Sequence, residues 1–109
     1  MPVLPKKSNI FDLIPKNLDK EIFEDIISKG DVKIERIISK GHITTEIEWY
    51  NQNKNEWVIL LKGEAILSFL DEEDIRLKAG DYINIPAFKK HKVSWTLPNQ
   101  ESIWLAVHY

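Results

Sequence analysis

The chain is dominated by short strand-like segments, each bounded by glycine, proline, asparagine or acidic residues. In most of them apolar and polar residues alternate, which is the pattern of a half-buried β-strand. The pattern predicts strands at Val32–Ser39, Thr44–Trp49, Trp57–Lys62, Ala65–Leu70, Ile75–Lys78, Tyr82–Pro86, His91–Trp95 and Ser102–Tyr109. Since no helical segments alternate with these strands, they predict an all-β barrel or sandwich rather than a parallel α/β sheet.

The residues before the first of these strands have a different character. Residues 1–17 contain three prolines and predict an irregular arm, whose apolar side chains we expect to pack onto the body of the domain or onto a partner. Leu18–Ser28 fits either a helical stripe or a short strand. We therefore divide the chain into residues 1–31, the arm with this strand or helix, and residues 32–109, the barrel. The apolar arm and the strands with two apolar faces also predict a homodimer.

Composition narrows the class of function. At 109 residues the chain has the size of one domain, and its 43% of hydrophobic residues supply a core. The formal net charge of −2 argues against nucleic-acid binding, which calls for a basic balance. The sequence has no cysteine, no apolar run long enough for a membrane span, no nucleophile elbow and no glycine-rich phosphate loop. We therefore expect a cytoplasmic protein without a membrane or nucleic-acid partner.

Two sets of residues keep a fixed spacing. Glu56 is followed after six residues by Gly63. Gly80 is followed after five residues by Pro86 and, after four more, by His91. In this order and spacing they resemble the two sequence motifs of the cupin superfamily, and the resemblance extends over the barrel residues.

The resemblance implies a conserved-barrel cupin, that is, a double-stranded β-helix (jelly-roll) barrel with an N-terminal arm. It favours a strand for Leu18–Ser28. In the family, two histidines and a glutamate of the first motif and one histidine of the second hold a divalent metal. Here the two histidine positions of the first motif fall on Tyr50 and Gln52 or, with the longer spacing, on Trp49 and Asn51.

The resemblance leaves Glu56 and His91 as candidate metal ligands. Gln52 lies at a ligand position and offers an amide oxygen, while Tyr50 and His108 are further candidates. One expectation is therefore a divalent Zn, Fe, Mn or Ni ion on these residues. Zinc normally takes about three or four protein ligands. The alternative is a metal-free binding or sensing module, in which Glu56 and His91 form hydrogen bonds to a ligand.

Aromatic side chains are common in small-molecule pockets, so those near the two motifs are the expected cavity wall. They are Trp49, Tyr50, Trp57, Phe88, Trp95 and Trp104. The basic run Lys89–Lys92 lies at the expected cavity mouth and favours an anionic ligand such as a carboxylate or phosphate. The sequence thus predicts a small cupin-domain protein that binds a metal and a small polar or anionic molecule. Its reaction stays open between isomerisation, lyase and oxygenation chemistry.

Overall fold

A computed structural model describes residues 4–43 and 52–109 of the chain. These residues contain eight strands, which confirms the all-β expectation. The strands are β1 Ile22–Lys29, β2 Val32–Ser39, β3 Glu56–Lys62, β4 Glu64–Phe69, β5 Ile75–Lys78, β6 Tyr82–Ile85, β7 His91–Thr96 and β8 Ser102–His108. The strand predicted at Thr44–Trp49 lies outside the described residues. In the part of the chain that the structure describes, no helix is long and apolar enough to cross a membrane.

The strands form two antiparallel sheets. One has five strands in the order β1-β2-β8-β3-β6, and the other has three in the order β5-β4-β7. The last strand, β8, pairs with both β2 and β3, so the end of the chain lies in the middle of the larger sheet. Because the inner faces of both sheets are apolar, the sheets pack face to face around one core.

The segment Leu18–Ser28, which the sequence left between helix and strand, forms most of β1 at the edge of the larger sheet. It pairs with β2 along its length, with a bulge between Asp25 and Ile27. Gly30 makes the turn between the two strands with a φ of 59°, a conformation that glycine adopts without steric cost. The bulge twists this exposed edge strand, as is common at sheet edges.

The core lies between the two sheets and comes from alternate positions of the strands. Its members are Ile37, Val58, Leu60, Ala65, Leu67, Phe69, Leu77, Ile85, Trp104 and Ala106. On β8, the inward positions Trp104 and Ala106 alternate with the outward Leu105 and Val107. Because the side chains of a strand alternate between faces, the next inward position after Ala106 is His108, at the end of the strand.

Arg36 fastens the N-terminal arm to the outer face of the larger sheet. Its guanidinium donates hydrogen bonds to the backbone carbonyls of Ile10 at 3.0 Å and Asp12 at 2.6 Å. It also donates to the carboxylate of Glu24 at 2.7 Å. The arm therefore lies on the body of the domain at this point, although the side chain of Leu13 stays exposed.

The outer face of the larger sheet carries apolar side chains at positions where a solvated sheet usually carries polar ones. Leu105 and Val107 on β8, and Trp57 and Ile59 on β3, all point outward and are partly exposed. This surface is what the expected homodimer would cover. The homodimer stays a prediction, which analytical ultracentrifugation of the purified protein at micromolar concentration tests.

Candidate functional site

A cavity of about 150 Å³ opens between the two sheets at one end of the barrel. Its walls are mostly apolar, with Val58 and Trp104 from the larger sheet and Leu67 and Val93 from the smaller one. Six polar or ionisable side chains interrupt these walls. They are Glu21, Glu35, Gln52, Glu56, His91 and His108. A concave, largely apolar site with a few convergent polar groups is the usual form of a small-molecule site.

Strand register brings the ionisable groups to this end of the barrel. Glu56 begins β3 and lies directly opposite His108 at the end of β8. Residues opposite each other in an antiparallel pair point to the same face, so both side chains enter the cavity. His91 begins β7 in the facing sheet, opposite Phe69 of β4. Strand ends from two sheets thus bring Glu56 and His91, the two candidate ligands from the sequence, to the same end of the barrel.

Glu56 is the centre of a buried hydrogen-bonded chain. Gln52 donates from its side-chain nitrogen to Oε1 of Glu56 at 2.7 Å, and Nε2 of His91 lies 3.4 Å from the same oxygen. Burial alone would raise the pKa of Glu56. The hydrogen bonds from His91 and Gln52 and the charges of His108 and His91 outweigh burial, so the pKa is lowered. Glu56 is therefore a carboxylate at neutral pH.

His91 is held in one orientation by the turn that precedes it. Its Nδ1 donates to the backbone carbonyl of Lys89 at 2.9 Å, which directs Nε2 toward Glu56. If Nε2 were unprotonated, its lone pair would face the lone pairs of a Glu56 carboxylate oxygen and repel them. A protonated Nε2 donates a hydrogen bond to that oxygen instead, so protonation is favourable. Burial lowers the pKa of His91, but the hydrogen bonds to Glu56 and Lys89 and the Glu56 charge outweigh it. The pKa is therefore raised.

A second buried pair lies beside Glu56 on the neighbouring strands of the larger sheet. Nε2 of His108 lies 2.8 Å from Oε1 of Glu35, and Lys33 contacts the other carboxylate oxygen at 3.4 Å. His108, a further ligand candidate from the sequence, is therefore in the cavity but is already bonded to a carboxylate. Sequence reasoning missed Glu35. No sequence pattern marked it, because β2 also carries the charged residues Lys33 and Arg36.

Glu21 was also missed, and it lines the cavity just before β1 begins. Its carboxylate accepts a hydrogen bond from the hydroxyl of Ser39 at 2.6 Å. Burial raises the pKa of Glu21, and this effect exceeds the lowering by Ser39 and by the charge of His42. No sequence motif marks this residue, because it enters the cavity only through the pairing of β1 with β2.

Of the aromatic residues expected in the wall, only Trp104 lines the cavity among those that the structure describes. Trp57 lies on the outer face, with its ring centroid 5.5 Å from that of Tyr82. Trp95 lies under the guanidinium of Arg76 at 5.3 Å. Strand alternation turns Trp57 away from the cavity, and the register shift between β4 and β7 turns Trp95 away. Trp49 and Tyr50 lie outside the described residues, and Phe23, which was not predicted, lines the wall.

Phe88, also expected in the wall, is 68% exposed and does not line the cavity. It stands where the second motif of the family usually has glycine, and it keeps a φ of 66°. This left-handed conformation is strained for a residue with a Cβ atom. The backbone N–H of Phe88 donates to the carbonyl of Gln52 at 2.7 Å. The turn thereby ties the loop before His91 to the Gln52 end of the hydrogen-bonded chain.

The residues present are a poor fit to a resident transition metal. Among the described residues, no group of three or more histidine, cysteine, aspartate or glutamate side chains is placed to hold an ion. Glu56 and His91 are adjacent, but His108 is paired with Glu35 instead. Gln52 presents its nitrogen to Glu56, and the sequence offers no histidine at the first-motif positions. Zinc sites normally have about three or four protein ligands.

Comparison with known proteins shows similarity to several solved structures. A crystal structure from Ralstonia eutropha JMP134, provisionally named a mannose-6-phosphate isomerase, is 34% identical with a TM-score of 0.92. The alignment covers 95% of this chain and 97% of that one. No curated protein sequence matches the chain.

Two further solved structures are similar in fold. A cupin superfamily protein from Desulfitobacterium hafniense DCB-2 is 18% identical with a TM-score of 0.77, covering 97% of this chain and 93% of that one. An RmlC-like cupin with a double-stranded β-helix fold, from Methanocaldococcus jannaschii, is 18% identical with a TM-score of 0.73, covering 98% and 92%. The family model described as Cupin domain matches residues 35–108. The chain therefore belongs to the cupin superfamily.

Proposed function

We propose that the chain binds a small polar molecule in the cavity between its sheets, without a resident transition metal. The observation that carries the proposal is the buried hydrogen-bonded chain from Gln52 through Glu56 to His91 in the cavity wall. Buried ionisable groups cost free energy compared with well-packed apolar side chains. Their position beside a cavity, rather than in the packed core, is what a binding site requires.

The volume of the cavity limits the size of its ligand. A cavity of about 150 Å³ admits a molecule of the size of benzene, so about six non-hydrogen atoms fit. A larger molecule such as a hexose would enter with one end only. The hydrogen-bonding groups of the wall belong to carboxylates, imidazoles and one amide, so hydroxyl or amino groups of the ligand are suitable partners.

Glu56 and His91 also supply what proton transfer needs. The lowered pKa of Glu56 and the raised pKa of His91 both favour a carboxylate beside an imidazolium. Such a pair can accept a proton from a bound hydroxyl or carbon and return it elsewhere. These are the steps that an isomerase of the kind named for the Ralstonia relative would ask of these two residues.

A divalent metal site is the alternative function, and one distance favours it. Two donors that each lie about 2.1 Å from one tetrahedral ion are about 3.4 Å apart. Nε2 of His91 and Oε1 of Glu56 have this separation. In this alternative Gln52 and water would complete the coordination of a Zn, Fe, Mn or Ni ion, which would act as a Lewis acid when bound.

Elemental mass spectrometry of the untagged protein separates the two functions. We expect far less than one metal per chain, and no gain after incubation with Zn²⁺, Fe²⁺, Mn²⁺ and Ni²⁺ followed by desalting. Near-stoichiometric metal that both Glu56→Ala and His91→Ala abolish would replace the proposal with the metal site. Metal that persists in both variants lies elsewhere and leaves the proposal in place.

Binding itself is tested with a molecule of the right size. Glycerol, titrated into protein with isotope-labelled histidine, should shift the imidazole NMR signals of His91 and His108. Val93→Phe fills the cavity from its apolar wall and should abolish the shifts, whereas Val32→Phe, on an exposed position of β2, should not. Equal shifts in wild type and Val93→Phe would place the binding elsewhere and contradict the proposal.

A further inference from the structure

We propose that the molecule bound in the cavity is a small organic cation, with a primary ammonium group of the kind found in an amino alcohol. This inference rests on the proposed function and adds the charge of the ligand to it. It concerns a ligand of about six non-hydrogen atoms, the size that the 150 Å³ cavity admits.

The described residues of the cavity wall carry three carboxylates and two imidazoles, and no lysine or arginine is among them. Glu56 is ionised and Glu35 is held by Lys33, whose ammonium lies at the partly exposed edge of the site, 3.4 Å away. Even with both imidazoles protonated and the Lys33 ammonium counted, three carboxylates balance the three positive charges, so the site has no net positive charge while Glu21 is ionised. An anion would therefore meet carboxylates in a low-dielectric site, where like charges repel strongly.

The stretch of residues 44–51, just before Gln52, adds no cation. Residues 44–51 contain Glu46 and Glu48 but no lysine, arginine or histidine. This stretch therefore has no positive charge to contribute to any binding site. Wherever residues 44–51 lie, they cannot give the cavity a positive charge.

The aromatic part of the wall favours the same ligand. Trp104 is buried at the inner wall of the cavity, and Phe23 lines it from the edge strand. The faces of aromatic rings attract ammonium groups, most strongly for tryptophan and in desolvated sites. Carboxylates together with aromatic rings are the combination that recognises organic cations, since each supplies negative potential without a competing positive charge.

The sequence predicted an anionic ligand because of the basic run Lys89–Lys92. None of the three lysines in this run lines the cavity. The ammonium of Lys89 is bonded to the carboxylate of Glu72 in the turn between β4 and β5. A phosphorylated sugar, which the name of the Ralstonia relative suggests, would have to leave its phosphate outside the cavity. The cavity wall therefore favours a cationic ligand, whereas the basic run had predicted an anionic one.

Three molecules with equal numbers of non-hydrogen atoms test the charge directly. They are 3-aminopropane-1,2-diol, which is a cation at pH 7, neutral glycerol and anionic lactate. Calorimetric titration in phosphate buffer avoids competition from amine buffers. We expect the aminodiol to bind about tenfold more tightly than glycerol, because a charge-assisted hydrogen bond contributes more than a neutral one. We expect lactate to bind more weakly than glycerol.

Variants assign the effect to the wall. Glu56→Gln keeps the shape of the side chain and should remove most of the preference for the aminodiol over glycerol. Glu64→Gln removes a carboxylate that pairs with Arg76 on the surface and should leave the preference unchanged. Val93→Phe should abolish binding of all three molecules.

The outcomes distinguish this inference from the proposed function. If glycerol or lactate binds in the cavity as tightly as the aminodiol or more tightly, the cation inference is wrong and the proposed function stands. If none of the three binds, or if Val93→Phe leaves binding intact, the proposed function fails and the inference fails with it. A preference for the aminodiol that Glu64→Gln lowers as much as Glu56→Gln does would also overturn the inference.

Discussion

The two ends of the barrel interior are built from the same strands but in opposite ways. At the closed end, around Leu60 and Ala65, the side chains are fully buried, and polar groups are limited to hydroxyls. Ser102 and Thr96 there donate to backbone carbonyls, so neither buries a charge. At the open end the same strands terminate in glutamate and histidine around a cavity.

The difference separates what stabilises this fold from what gives it a site. The closed end gains free energy by close packing, because every atom there has neighbours. The open end is less closely packed and pairs the carboxylates of Glu35 and Glu56 with histidine side chains, an arrangement that contributes little net stability. Substitutions should therefore affect mainly stability at the closed end and mainly binding at the open end.

The largest effect on stability is expected from Gly63→Ala at the closed end. Gly63 has a φ of 93°, and an added Cβ atom would lie 2.2 Å from Oγ of Ser102 and 2.8 Å from its Cα. Backbone strain and overpacking together should cost roughly 3–5 kcal/mol. Gly80→Ala is the matched control, since Gly80 has a φ of 96° and nothing within 4 Å of its added Cβ.

Urea unfolding of both glycine variants measures the difference. Gly80→Ala should lose only the strain component, about 1–2 kcal/mol. A Gly63→Ala protein that fails to fold while Gly80→Ala folds would agree with the prediction. Equal losses of unfolding free energy in the two variants would show that the closed end is not tightly packed at Ser102.

The next effect compares two core leucines. Leu60 is fully buried away from the cavity, whereas Leu67 is 3% exposed and lines it. Leu60→Ala should cost about 4 kcal/mol, in the upper part of the range for buried leucines. Leu67→Ala should cost about 2–3 kcal/mol, because its side chain already lacks neighbours on the cavity side. A larger loss of unfolding free energy for Leu67→Ala would contradict the contrast between the two ends.

A smaller effect is expected from pH, and it comes from the open end. The lowered pKa of Glu56 means that its contribution to stability is present above the unfolded value of 4.5 and is lost as the pH falls through the folded pKa. The raised pKa of His91 means that its contribution is full below 6.5 and is lost as the pH rises through its folded pKa. The pair therefore stabilises the fold most between about 4.5 and 6.5.

Glu21 acts in the opposite sense to Glu56. Its pKa is raised, so its contribution is full below 4.5 and declines as the pH rises through its folded pKa. Urea midpoints measured across the pH range should fall on the alkaline side in wild type. In wild type the urea midpoint should also fall on the acid side, where Glu56 becomes protonated. Glu56→Gln should weaken the fall of the midpoint on both sides, while Glu64→Gln should change neither. A profile for Glu56→Gln that matches wild type would show that the pair does not titrate as described.

The sequence predicted the strands well because alternation is a local property of the backbone. The two motifs also placed Gln52, Glu56 and His91 together, since strand ends of this fold meet at the cavity mouth. Glu21 and Glu35 escaped prediction because they enter the cavity through the pairing of β1 and β2, which no local pattern encodes. Two of the four expected wall tryptophans, Trp57 and Trp95, point away from the cavity for a related reason, since motif position does not tell which face a side chain occupies.

The smallest effect has the opposite sign and concerns Phe88. Phe88→Gly removes the strain of a left-handed residue, about 1–2 kcal/mol, but raises the entropy of the unfolded chain by about 0.4–1 kcal/mol. We expect a net stabilisation of about 0.5 kcal/mol in urea unfolding. Ala87→Gly, at a neighbouring position without a positive φ, should instead destabilise by about 0.5–1 kcal/mol.

Phe88→Gly also tests whether Phe88 belongs to the cavity wall, as the sequence predicted. Its ring is largely exposed and outside the cavity, so the affinity for 3-aminopropane-1,2-diol should be unchanged. A severalfold loss of affinity together with the gain in stability would mean that the ring folds over the cavity mouth when ligand is bound. The strained turn at Phe88 would then lower the stability of the fold and raise the affinity for the ligand, as the buried carboxylate–histidine pairs of the open end do.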